Sequence, residues 1–152
     1  YFTILMKRLV FGLSMGAVLF LASCKKDIGG LAENSWSVSG KTYTATTVDV
    51  SPSSNFISAS NGSGSSIDFS FKSLPSANTD LDINDVAYTN TDVAIRTILS
   101  GNIIYNSVPS KGTFLSLRVN NGKYTLIANN IKMVNAGPSK DTVLVSTNIV
   151  QP

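Results

Sequence analysis

The chain of 152 residues has no histidine, a single cysteine and a low charge content, with charged residues making up 14% of the total. Without histidine, Ser/His/Asp and Cys/His nucleophilic systems and His-containing zinc sites are excluded. The lone cysteine excludes a disulfide within these residues. Glu33 is the one glutamate, so a paired-carboxylate glycosidase would have to rely on aspartates. We therefore expect no enzyme and no cofactor.

Positive charge is not concentrated in this sequence. The net charge is +3, but Lys7 and Arg8 lie near the start, and the part after residue 23 holds ten basic against nine acidic residues. A protein that binds nucleic acid gathers Lys and Arg into a stripe that neutralises phosphates, whereas these lysines are scattered. We expect no nucleic-acid partner.

The longest apolar run, at residues 9–22, follows two basic residues and ends at small residues before Cys24. It has about 14 residues, whereas a transmembrane helix needs about 20. A basic start, a short apolar run and a cleavage site with small residues are typical of a secretory signal. The sequence predicts an export signal at 1–23, in which residues 1–5 precede the expected initiator Met6.

The four residues Leu21-Ala22-Ser23-Cys24 resemble the bacterial lipobox, in which the cysteine thiol receives a diacylglyceryl group before the signal is cleaved. The resemblance implies that Cys24 is lipidated and anchors the protein to a membrane; two or more acyl chains suffice for stable anchoring. Residues 24–35 would follow as a flexible tether spanning under about 20 Å. The alternative is an ordinary buried thiol at the end of a core helix.

From residue 36 onward, β-branched and aromatic residues alternate with polar ones in short runs, and no helical period of useful length appears. The sequence predicts one all-β domain at 36–152, an antiparallel β-sandwich of about eight or nine short strands, with an open β-barrel as the alternative. Strands are expected, among others, at residues 42–50, 66–72, 81–87, 93–99, 103–108 and 143–150.

Two hairpins can be specified. A type I′ turn at Asn121-Gly122 would pair Val119 with Tyr124 and Leu117 with Leu126, and would place Leu115 and Ala128 on the same buried face. The apolar phase then changes, which predicts a bulge near residues 129–130. Upstream, the glycine-containing segment 61–65 is expected to connect residues 56–60 to the strand that holds Ile67, Phe69 and Phe71.

Acidic side chains recur between residues 78 and 85 as they do in a calcium loop. The weak calcium candidates are Asp80, Asp82, Asn84 and Asp85. The glycine and the terminal bidentate acid of an EF-hand are missing, and Leu81 and Ile83 supply the alternation of a strand. A solvated strand edge is therefore the favoured interpretation.

Several aromatic side chains offer flat faces on which a sugar ring could stack, as in many carbohydrate-binding β-sandwiches. The candidates for ligand contact are Trp36, Tyr43, Tyr88 and Tyr105. The alternative places these rings in the core or in cross-strand pairs. For Trp36, packing at the end of the sandwich is favoured.

The segment from Trp36 to Ala45, after a lipobox and a short tether, resembles the small, mostly uncharacterised lipoproteins of Bacteroidota. In those proteins a W-x-x-x-G-K-x-Y-like hairpin begins an all-β domain. The resemblance, with Lys25 directly after the cysteine, implies an outer-membrane lipoprotein, and we favour the periplasmic face. We expect a non-enzymatic binding or accessory module, with glycan as one candidate ligand. The alternative is a structural or adhesive envelope protein that pairs with a protein partner.

Overall fold

A computed structural model describes residues 30–84, 93–110 and 112–152. Over these residues the chain forms eleven strands and one 3₁₀ turn at Pro52–Ser54. The predicted all-β class is confirmed, with more strands than the eight or nine expected. The strands are β1 (Ser35–Val38), β2 (Lys41–Thr44), β3 (Thr47–Ser51), β4 (Phe56–Ser60), β5 (Ser66–Phe71), β6 (Thr79–Asn84), β7 (Val93–Leu99), β8 (Ile103–Ser107), β9 (Phe114–Asn120), β10 (Lys123–Asn135) and β11 (Thr142–Val150).

All eleven strands belong to one sheet, in the order β2-β1-β11-β10-β9-β6-β7-β5-β4-β3, and β8 pairs with both β10 and β7. Within the described residues, β6 and β7 form the one parallel pair, which is confined to the register Ile83 with Val93 and Asn84 with Ala94. Since β8 bridges β7 and β10, five strands close a ring of neighbours. The sheet therefore curls over on itself, as in a sandwich or a partial barrel.

The single strand predicted at residues 42–50 is wrong, because the chain breaks there into β2 and β3. The Ala45 N–H donates to the Asn34 carbonyl at 2.7 Å, and the Thr46 N–H donates to the Ser60 carbonyl at 2.7 Å. These two adjacent residues thus bond to opposite ends of the strand order, where β2 and β3 are the outermost strands. The two edges of the curled sheet meet at this corner.

The core lies between the facing layers of this sheet and is built from alternate residues of each strand. On β5, Ile67, Phe69 and Phe71 are buried as predicted, while Ser66 and Ser70 on the outward face are partly exposed. The largest fully buried side chains elsewhere are Trp36, Ile57, Ile95, Leu115, Leu117, Leu126, Ile131, Met133 and Ile149.

The hairpin of β9 and β10 has the predicted register, with Val119 opposite Tyr124 and Leu117 opposite Leu126. Asn121 and Gly122 both have positive φ, 51° and 75°, as a type I′ turn requires. The register of β10 against β11 shifts between residues 128 and 131, so the predicted bulge is confirmed.

The folded region begins before the predicted boundary at residue 36. Leu31 is buried, and its carbonyl accepts a hydrogen bond from Asn148 Nδ2 at 3.1 Å. Asn34 Oδ1 accepts from the Val150 N–H at 2.8 Å, so this segment is fixed to β11. Residues 31–35 of the tether expected at 24–35 therefore belong to the folded region, and residues 24–29 lie outside the described residues. No helix in the described part of the chain is long and apolar enough to cross a membrane.

Candidate ligand-binding groove

The structure places Trp36 in the core. Its ring is stacked on that of Tyr43 with centroids 5.4 Å apart and planes at 13°, and Lys41 Nζ lies 5.2 Å from the Tyr43 centroid. Trp36 has no exposed surface, so in this arrangement it has no ring face to offer a sugar. Tyr43 is half-buried and packs against the core beside it. The packing interpretation of Trp36 fits this arrangement.

Tyr105 is also enclosed, and its hydroxyl donates to Asp141 Oδ2 at 2.8 Å. This hydrogen bond to a carboxylate raises the pKa of Tyr105. The pKa of Asp141 is lowered, first by the hydrogen bond from Ser139 and then by the one from Tyr105. Tyr88, the remaining aromatic candidate, lies outside the described residues. The four candidates therefore do not supply an exposed aromatic platform in the described parts of the chain.

Of the calcium candidates, Asp80 and Asp82 lie on the exposed face of β6, while Leu81 and Ile83 point into the core. Asp80 Oδ1 accepts from Ser116 Oγ at 2.7 Å and from Arg118 Nη1 at 2.9 Å. These contacts, Ser116 first, hold the pKa of Asp80 below its usual value. The Asn84 side chain and Asp85 lie outside the described residues, among which no three acidic, thiol or imidazole groups could share a metal ion.

An open groove of about 590 Å³ lies on the outward face of β9 and β10. Its lining follows from the two-residue period of a strand: Leu115 and Leu117 point into the core, so the residues that alternate with them on β9 point outward. The bulge on β10 leaves both Asn129 and Asn130 exposed. The lining residues are Gly112, Thr113, Phe114, Ser116, Arg118, Ile127, Ala128, Asn129 and Asn130.

We call this space the β9–β10 groove. Phe114 supplies the main apolar surface among its lining residues. Phe114 is 50% exposed, and the half-buried Ile127 lines the same space. An aromatic side chain exposed to this extent in a concave surface leaves apolar area available to a ligand.

The polar part of the groove is formed by Arg118, Asn129 and Asn130. Arg118 Nη1 donates to Asp80 Oδ1, to the Thr79 carbonyl at 3.1 Å and to the Leu117 carbonyl at 3.0 Å. Among the described residues, Arg118 Nε and Nη2 and both asparagine carboxamides carry no hydrogen bond to protein. The groove therefore combines an anchored guanidinium and two amide side chains with an exposed aromatic ring.

Phe114 was not among the ligand-contact residues predicted from the sequence, although the strand pattern around it indicates an outward position. The predicted hairpin register directs Leu115 and Leu117 inward, and strand alternation then directs Phe114 outward. A second cavity, of about 490 Å³, lies where β8 begins and β10 turns towards β11, and its lining includes Ile103, Ile104, Pro138 and Ser139. It contains no charged side chain among the described residues that line it.

Comparison of the chain with protein-family models, with curated proteins and with solved structures found no match.

Proposed function

We propose that this chain is a lipid-anchored, non-enzymatic binding module of the bacterial envelope and that the β9–β10 groove is its ligand site. The observation that carries the proposal is the sequence Leu21–Cys24, placed a few residues before a folded region that includes Leu31. The lipobox resemblance and Lys25 after the cysteine support an outer-membrane location, and we favour the periplasmic face.

The position of the groove relative to the tether supports a ligand close to the membrane. Ser35, Asn148, Ile127 and Ser116 are successive neighbours across β1, β11, β10 and β9. At about 4.8 Å per strand, Ser116 lies roughly 15 Å from Ser35, next to which the tether enters. The flexible tether that the sequence predicts, taken over residues 24–30, would span about 15 Å on average. A lipid at Cys24 would thus hold the groove within about 30 Å of the bilayer.

The chemistry of the groove favours binding over catalysis. Asp80 is the carboxylate that contacts its lining, and it is held ionised by Ser116 and Arg118, which lowers its pKa. A carboxylate stabilised in this way is a poor general base at neutral pH. Apart from Arg118, the lining residues supply amide, hydroxyl and apolar groups that suit recognition.

The anchor is tested by mass spectrometry of the protein purified from its bacterial host. We expect the mature chain to begin at Cys24 and to carry the mass of its acyl groups, and we expect Cys24→Ser to remain unprocessed. Membrane fractionation and protease treatment of intact cells then report the membrane and its face. A free thiol at Cys24 with the leading peptide still attached would overturn the lipid anchor.

A structural or adhesive role through strand pairing is the second candidate, since β2 and β3 are the two edges of the sheet and meet at one corner. These strands have four and five residues, and they carry Lys41 and Asp49. Short, charged edges oppose pairing with another chain, which favours the groove as the binding surface. A protein partner lost on Thr42→Pro, which removes an edge N–H, and retained on Phe114→Ala would reverse this preference.

A further inference from the structure

We infer that the β9–β10 groove binds the ring of a neutral carbohydrate, with Phe114 as the stacking surface and Arg118, Asn129 and Asn130 as partners of the sugar hydroxyls. The inference rests on the binding role proposed for this groove and names its ligand class.

The exposed ring of Phe114 is the first argument. One face of a pyranose ring presents C–H groups, which pack on a flat apolar surface. Leu144, at 52%, is exposed to a similar extent on the outward face of β11, but it does not line the groove and has no flat surface. Phe114 alone among the exposed large apolar side chains of the described residues is aromatic.

The polar groups beside this ring match hydroxyls. A sugar hydroxyl both donates and accepts hydrogen bonds, and a carboxamide does the same, while the guanidinium supplies donors in a fixed plane. The bulge between Ala128 and Ile131 exposes two consecutive asparagines, where a regular strand would direct one of them inward. Arg118 is held in place through Nη1, so its other nitrogens are oriented before a ligand arrives.

The charge balance of the lining favours a neutral ligand. Arg118 lies 2.9 Å from Asp80, so the one charged side chain among the described lining residues is already compensated. An anionic ligand would compete with Asp80 for the guanidinium, and a cationic ligand would compete with the guanidinium for Asp80. A sugar hydroxyl can form hydrogen bonds in the groove without displacing either partner of this ion pair.

The size of the groove favours a small ligand over a folded partner. Its volume of about 590 Å³ falls within the usual range of small-molecule pockets, about 300–1,000 Å³. A stable protein interface would bury about 800 Å² on each partner. A short oligosaccharide is the occupant that matches both the volume and the mixed lining.

The test uses the purified, full-length mature protein in detergent. Neutral and acidic oligosaccharides are first screened on an array, and the hits are then measured by calorimetry. We expect saturable binding of a neutral oligosaccharide that Phe114→Ala weakens about tenfold or more and that Phe114→Tyr retains. Asn129→Ala together with Asn130→Ala should weaken it further. Leu144→Ala, which removes an equally exposed side chain outside the groove, is the matched control and should bind normally.

These measurements can overturn the carbohydrate inference. It is overturned if no neutral oligosaccharide binds, if only acidic ones bind, or if Phe114→Ala and Leu144→Ala bind alike. Thermal unfolding of each variant separates a lost contact from a lost fold, and Phe114→Tyr provides a second check. If Phe114→Ala instead abolished the binding of a protein ligand, the carbohydrate inference would be overturned, but the groove would remain a binding site. A failure of lipidation at Cys24 would affect the anchor and not this result.

Discussion

Two clusters on the outward face of the sheet use the same three residue types in different surroundings. In each, an aspartate accepts a hydrogen bond from a serine hydroxyl at 2.7 Å. It also accepts one from an arginine guanidinium, at 3.0 Å in the first cluster and 2.9 Å in the second, and these partners lie on neighbouring strands. We call Ser58, Asp68 and Arg96 the buried cluster, after its buried aspartate, and Ser116, Asp80 and Arg118 the exposed cluster. The arginine is exposed to a similar extent in both. The aspartate side chain is 7% exposed in the first and 58% exposed in the second.

Because the hydrogen-bond partners are alike, we expect the solvent exposure of the aspartate to decide how much each cluster contributes to stability. Around Asp68 the carboxylate has lost most of its water, so it depends on the serine and the arginine for compensation. Around Asp80 water competes with both partners, so the cluster adds little to stability. The exposed cluster is therefore free to serve the groove, whereas the buried cluster holds β4, β5 and β7 together.

The largest effect is expected when the arginine of each cluster is replaced. Arg96→Met retains much of the packing but leaves the Asp68 carboxylate buried without its cation, which should lower the free energy of unfolding by about 2–3 kcal/mol. Arg118→Met should leave the urea midpoint nearly unchanged, because Asp80 is solvated. Urea denaturation of the two variants measures both values. Equal losses would mean that burial does not separate the clusters.

A second pair of variants compares the stability contributed by a buried neutral hydroxyl that has a hydrogen-bond partner with that of one that has none. Thr97 Oγ1 donates to the Ser66 carbonyl at 2.8 Å, whereas Thr147 Oγ1 is buried with no partner among the described residues. Thr97→Val should cost about 1 kcal/mol, and Thr147→Val should stabilise the fold by up to about 1 kcal/mol. Thermal unfolding of the two variants provides the comparison. A loss of stability in Thr147→Val would show that its hydroxyl is satisfied in solution.

The smallest effect concerns the acid titration of the exposed cluster. Because folding lowers the pKa of Asp80, its contribution to stability is present above its unfolded pKa of about 4 and is lost as the pH falls through the lowered value. Ser116→Ala and Arg118→Met should each raise this pKa towards its usual value, because each removes a hydrogen bond that lowers it. An NMR titration of the Asp80 carboxyl group measures both shifts. An unchanged pKa in both variants would mean that neither contact stabilises the Asp80 carboxylate in solution.

Local pairing was readable from the sequence because its signals lie within a few residues. Asn121-Gly122 fixes the turn and the register of β9 against β10, and the phase change after Ala128 gives the bulge. The break at Ala45-Thr46 was not readable. Nothing in the alternation of residues 42–50 indicates that successive N–H groups bond to strands at opposite ends of the sheet, because that depends on long-range pairing.

The candidate site was predicted only in part, for a related reason. The sequence identified the aromatic residue types suited to stacking, but exposure depends on which side of the curled sheet each ring occupies. Trp36 and Tyr105 face the interior, while Phe114 faces outward on a strand whose register had already been deduced. The predicted register of this strand, together with the alternation of its side chains, places Phe114 on the outward face.

The pairing of β1 with β11 has a consequence for how the domain is made. Ser35 lies opposite Asn148, so the earliest strand of the described chain obtains one of its neighbours from the last strand. Contacts between residues far apart in the sequence form slowly. The entropy of closing the intervening loop is lost before these contacts stabilise the fold. During synthesis, β1 has no partner on that side until β11 emerges. The sheet would thus stay open between these two strands until β11 has been made, and the pairing of β11 with β1 would be the event that closes the structure.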